Sequence, residues 1–147
     1  MNVVTTFKEK RREKQQKYER KMLREISVEL LRKKVREYFG PQLKLNGRPV
    51  EAVEEGCLDV AIEAYLLGAS YGKFGHLGES EEKVRTRCYR EEKYLIDTLY
   101  DYFQYWGVFC ESDMECESFY YKCESFILYW WKDGFNKSIK RHRMRLH

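Results

Sequence analysis

The chain has 147 residues, 43% apolar and 35% charged, with a formal net charge of +4. That length supports one domain with a core of its own, needing neither disulfide nor metal staples. Five cysteines without a C-x-x-C pair argue against a disulfide framework or zinc ribbon, and point to a reducing cytoplasm. No apolar h-region precedes the first charges, so no secretory signal is expected. The longest apolar stretch, around "SFILYWW", falls far short of the roughly 18 residues of a membrane span.

The net charge hides an asymmetry. Residues 1–48 carry 15 Lys/Arg against 6 Asp/Glu, residues 49–125 carry 7 against 17, and residues 126–147 carry 6 against 1. Basic ends suggest an acidic partner such as nucleic acid or a phospholipid surface. The acidic middle offers an internal alternative, in which the ends lie along it and neutralise it.

In chain order, residues 1–15 are charged and offer no apolar face, so they read as a frayed helix or a tail. Met22, Leu23, Ile26, Leu30, Val35 and Tyr38 then give an amphipathic helix that ends at "FGP". A second helix carries Val50, Val53, Cys57, Val60, Ala61, Ala64, Leu67 and Tyr71 at steps of three and four. Pro49 suits its first turn, and Glu51, Glu54 and Glu55 favour its N-terminus. Ser80 is the expected N-cap of a third helix, which runs through Val84, Cys88, Leu95, Leu99, Tyr102 and Trp106 and closes at Gly107. Ser112 and Glu115 have capping-box spacing at the head of a fourth. Its stripe of Cys116, Phe119, Tyr120, Cys123, Phe126, Ile127 and Trp130 persists to about residue 142.

These elements predict one all-α domain over residues 1–147: an antiparallel four-helix bundle with a long basic N-terminal helix and a glycine-rich loop between its second and third helices. Phe119, Cys123, Phe126, Trp130, Val60, Ala64, Leu95 and Leu99 should form one buried cluster. Cys110, Cys116 and Cys123 read as core residues.

Residues 68–80, "GASYGKFGHLGES", are the one motif with chemical interest. Gly68 and Gly72 enclose three residues instead of the four of a phosphate-binding Walker loop, and Lys73 is followed by Phe74. Gly72, Gly75 and Gly78 miss the dinucleotide spacing and lack a preceding strand. "GKFG" matches the backbone-clamping G-x-x-G of KH domains locally, without the sheet that fold requires. As a connector, the segment would plug the bundle's end with Tyr71, Phe74 and Leu77. As a site, Gly72, Lys73, Gly75, His76 and Ser80 would gather an anion at the start of the third helix. A positive φ at Gly75 would make Gly75→Val destabilising.

No catalytic constellation appears elsewhere. Asp59 and Glu63 share a helix face, but none of His76, His142 and His147 lies three residues after a Glu, so the usual di-metal bundle pattern is excluded. This carboxylate pair reads as an ion-pair face toward the basic N-terminal helix. No metal and no cofactor is expected. The segments "YDYFQYWGVF" and "SFYYKCESFILYWW" hold more aromatic bulk than one helix face hides, and aromatics are enriched at interfaces. The reading is therefore a non-catalytic cytoplasmic interaction or regulatory protein, binding a protein partner or itself. The alternatives are a nucleic-acid-binding module using the basic termini, and an anion-binding protein or enzyme using the glycine-rich segment. A membrane-surface role for "WWKDGFNKSIKRHRMRLH" is a lesser one, because Trp130 and Trp131 fall within the core periodicity.

Over most of its length, and above all in "EGCLDVAIEAYLLGASYGKFGHLGES" and "WWKDGF", the chain resembles a small family of uncharacterised cytosolic proteins from spore-forming Gram-positive bacteria, known as a domain of unknown function. The resemblance implies a bacterial cytoplasmic origin and carries over no catalytic residue.

Overall fold

The computed structural model describes residues 3–43, 50–108 and 110–144, and every regular element among them is helical. In order these are α1 (Val3–Leu23), α2 (Val28–Leu43), α3 (Val50–Ser70), α4 (Gly72–His76), α5 (Glu81–Arg87), α6 (Tyr89–Tyr105) and α7 (Asp113–Arg143). The expectations for Pro49 and for residues 145–147 lie outside the described residues. No helix among the described residues is long and apolar enough to cross a membrane.

α3 is the central helix. It buries Val53, Leu58, Val60, Ala61 and Tyr65 on more than one face, and α1, α2, α6 and α7 all pack against it. Its main partner is α7, and the contact is backbone to backbone. A Cβ on Gly68 would overlap the carbonyl oxygen of Trp131, and one on Gly134 would overlap that of Tyr65. Further along, Gly72 abuts Ser138 and Gly75 abuts Phe135 and Ile139, so α3–α4 and α7 advance in the same direction.

The expected core is present. Val60, Ala64, Leu95, Leu99, Cys123, Phe126 and Trp130 are buried in one cluster, with Phe119 half-buried against it. Part of the aromatic excess is spent there: Phe39 lies 4.7 Å from Phe103 and 5.1 Å from Phe126, and Phe103 lies 5.2 Å from Phe119, ring centre to ring centre. Tyr94, Tyr105 and Tyr121 remain exposed.

Helix boundaries differ from expectation where local capping outweighs the apolar period. The first helix is interrupted after Leu23, and Ser27 restarts it by accepting the Leu30 N–H at 3.3 Å. "FGP" bends α2 at Phe39 (φ −121°, ψ 17°), and helix continues to Leu43, since Pro41 needs no backbone donor in the first turn past a bend. The third helix is divided at Cys88 (φ −114°, ψ 24°). The glycine-rich connector contains a helical turn, α4. Gly78 ends it at φ 103°, with the Glu79 and Gly78 N–H groups donating to the Phe74 and Gly75 carbonyls. That is the Schellman pattern, and Gly107 (φ 85°) closes α6 the same way. Gly75 is not among the residues with positive φ; close approach to α7 is what it serves.

One cysteine expectation needs correction. Cys110 and Cys116 form a disulfide, with Cα atoms 5.3 Å apart. The Ser112 cap, whose hydroxyl accepts the Glu115 N–H at 3.2 Å, turns the chain so that Cys110 faces the first turns of α7. Cys57, Cys88 and Cys123 are buried and unbridged. Burial pushes the Cys88 thiol up to about 11 and the Cys123 thiol up to about 12.

Two measurements check this core. Phe126→Ala should cost about 3–5 kcal/mol in a denaturant melt, as deletion of a buried aromatic ring does. At pH 8 a thiol reagent should find no reactive cysteine in the oxidised native protein, two after mild reduction, and all five only when the reduced chain is unfolded.

Candidate anion-binding cleft

α1 is anchored to the rest of the molecule in its last turns. Met22 is fully buried, and the Tyr65 hydroxyl donates to its carbonyl at 2.7 Å. Just beyond, Lys137 donates to the Glu25 carbonyl at 3.1 Å, and Arg141 pairs with the Glu25 carboxylate. One turn earlier Tyr18 makes the next anchor. The buried Ser138 hydroxyl donates to the Ala69 carbonyl at 2.7 Å, leaving its oxygen to accept from the Tyr18 hydroxyl at 2.5 Å. Burial raises the Tyr18 phenol pKa, outweighing the opposing hydrogen bond to Ser138. The phenol therefore remains a neutral donor. On the N-terminal side of Tyr18, residues 7–17 are all exposed.

This geometry opens a cleft of about 800 Å³ between α1, the end of α3, α4 and the last turns of α7. One wall is the α1 face carrying Arg11, Lys14, Lys17 and Lys21, with Gln15 and Tyr18 between them. Lys73 of α4 and His142 of α7 close the other side over Ala69 and Ser70. No carboxylate lines it among the described residues. The opposite flank of α1 faces a second cleft, of about 550 Å³, that gathers Glu19, Glu63 and Glu91 with Arg90 over Leu66 and Leu67. The two sides of one helix thus look onto opposite charge.

A family model described as "Protein of unknown function (DUF2521)" matches residues 1–147. The chain belongs to that family. It is 32% identical over 146 residues to the uncharacterized protein YbaK of Bacillus subtilis (strain 168), covering 99% of both chains. No solved structure matches it.

The family name assigns no chemistry, so the placement of each residue must carry the reading. Lys73 lines the basic cleft, its ammonium 5.3 Å from the Phe74 ring centre. His76 is exposed and stacks on His142 at 5.7 Å and 25°, and His142 lies 6.2 Å from the Tyr18 ring. Gly72 and Gly75 face α7 and allow the approach that brings Lys73 to the cleft and His76 against His142 at its edge. Ser80 is elsewhere: its hydroxyl caps the seven-residue α5 by accepting the Lys83 N–H at 3.2 Å. Arg87 fixes α4 to α5 by a two-pronged bond to Glu79 (3.0 and 2.7 Å) with its guanidinium 4.3 Å from the Phe74 ring centre. Asp59 and Glu63 stay exposed, and the acid that meets the basic N-terminal block is Glu54. Among the described residues no group of three or more His, Cys, Asp or Glu is placed to hold a metal ion.

Sequence reasoning missed Arg11, Lys14, Tyr18, Lys21, Lys17 and His142. The first four recur at steps of three, four and three, a helical stripe that was there to be read. Tyr18→Phe should cost about 1 kcal/mol, the worth of one partly buried hydrogen bond, and loosen α1 selectively. Amide hydrogen exchange in residues 7–17, compared with the α3 core, measures that selectivity.

Proposed function

We propose that the protein is a non-catalytic cytoplasmic interaction protein, a single helical domain over residues 1–147, that captures an anionic partner in the cleft between α1, α4 and α7. Its seven helical segments group as an antiparallel four-helix bundle, with α1–α2, α3, α5–α6 and α7 as the four members and α4 as the connector that carries Lys73.

The observation that carries this reading is a difference between two sets of basic residues. Several of α2 and the C-terminal region are met within the chain: Arg32 and Arg36 reach the buried Glu54 at 3.1 and 3.5 Å, Lys132 reaches Glu81 at 3.5 Å, and Arg141 pairs with Glu25. Arg11, Lys14, Lys17 and Lys73 enter no ion pair among the described residues. Glu54 and Glu81 of the acidic middle, with Glu25, therefore neutralise part of the basic charge, and Arg11, Lys14, Lys17 and Lys73 face an open cleft lined by no carboxylate among the described residues. Cations lining a concave surface of low dielectric focus the field and raise the local concentration of anions. The exposure of residues 7–17 supports the same reading, because a partner laid across them would cover a stretch of helix that little else covers.

Charge reversal tests the cleft. Lys14→Glu/Lys17→Glu should abolish retention on a heparin column at low salt, while the melting temperature stays within a degree or two, since exposed charges add little to stability. Unchanged retention would remove the cleft as the site.

A further inference from the structure

Resting on that cleft, we infer that its occupant is single-stranded nucleic acid, with phosphates along α1 and unpaired bases on the rings at the two ends of the stripe. The cations are arrayed in a line. Phe7, Arg11, Lys14, Tyr18 and Lys21 follow one another at steps of four, three, four and three, so one helix face carries them over about 21 Å at 1.5 Å per residue. A single phosphate or small anion needs donors that converge on one point; a row of cations matches a row of phosphates. Two ring systems flank the row. Phe7, on the same face one turn before Arg11, is 62% exposed, so its ring face is open to a ligand laid along the stripe. At the other side the exposed His76 stacks on His142, which in turn stands near Tyr18. Aromatic and imidazole faces interleaved with cations are how proteins hold unpaired bases, because every base presents a π-face. A duplex keeps those faces stacked inside itself, and a polyanion without rings has none to offer.

The test uses the full-length protein, a fluorescent 12-nucleotide oligo-uridylate, heparin as a polyanion without aromatic rings, and vesicles containing phosphatidylserine. Oligonucleotide affinity should fall roughly 50-fold between 50 and 200 mM salt if about four phosphates are neutralised on a single strand. Phe7→Ala and His76→Ala should each weaken the oligonucleotide by roughly five-fold or more, the loss of one stacked base, and leave heparin binding unchanged. Both residues are exposed, so unaltered melting of the two variants is the accompanying control. If heparin and oligonucleotide bind but neither ring variant separates them, the nucleic-acid inference is wrong and the anionic cleft stands. Tighter binding of duplex or of vesicles than of the single strand also overturns it. If no polyanion binds, the cleft reading itself fails.

Discussion

The contact on which the rest of the structure depends is the backbone approach of α3 and α7 at Gly68 and Gly134. Glycine inside a helix costs on the order of 1 kcal/mol relative to alanine, so each of these positions weakens its own helix. What is gained is distance. With no Cβ between them, the Trp131 carbonyl sits over Gly68 and the Tyr65 carbonyl over Gly134, and the flanking Ala61, Ala64 and Ala69 keep the interface shallow. The large side chains are displaced to the sides of this seam. Phe126 meets Tyr38 and Phe39 of α2, Trp130 is buried in the same cluster, and Trp131 and Phe135 pack with Val84 and Cys88 under α5.

The cleft is a consequence of the same seam. Because α3 and α7 advance together, their C-terminal ends arrive side by side, and Ala69 is close enough to Ser138 for a hydrogen bond. Tyr18 docks on that pair, and α4 continues along α7 with Gly72 and Gly75 against it. Basic residues from positions 11–21, 73 and 142 are thereby collected at one end of the molecule. Charge distribution then separates structure from function. Bases that meet Glu54, Glu81 or Glu25 contribute to cohesion, and Arg11, Lys14, Lys17 and Lys73 line the cleft with no ion pair among the described residues.

The helical class, the core stripe of α7 and the Ser112 cap were legible in the sequence because each is a local signal: a period, or a cap three residues from its partner. The breaks at Arg24–Ser27 and at Cys88 were less so, since an apolar period passes through both without interruption. The functional reading was half legible. Lys73 and His76 drew notice through the glycines around them, but those glycines serve helix approach at Gly72 and Gly75 and a C-terminal cap at Gly78. The companions of Lys73 lie 52 to 62 residues earlier in a segment without an apolar face, and the anchoring of Met22 and of Tyr18 brings them near. The disulfide was obscured by spacing: Cys110 lies outside the helix that carries Cys116, and it is the cap between them that brings the two together.

The seam itself is tested by Gly134→Ala, with Gly40→Ala as the comparison, both followed by equilibrium denaturation. Gly40 has open space where a Cβ would stand, so alanine there should be neutral or slightly stabilising. At Gly134 the two physical effects oppose one another. Helix propensity alone favours alanine by about 1 kcal/mol, whereas a methyl group driven into the Tyr65 carbonyl must push two backbones apart and should cost about 1–3 kcal/mol or more. The account predicts a clear loss of stability at Gly134 and none at Gly40. Equal or greater stability of Gly134→Ala would contradict it.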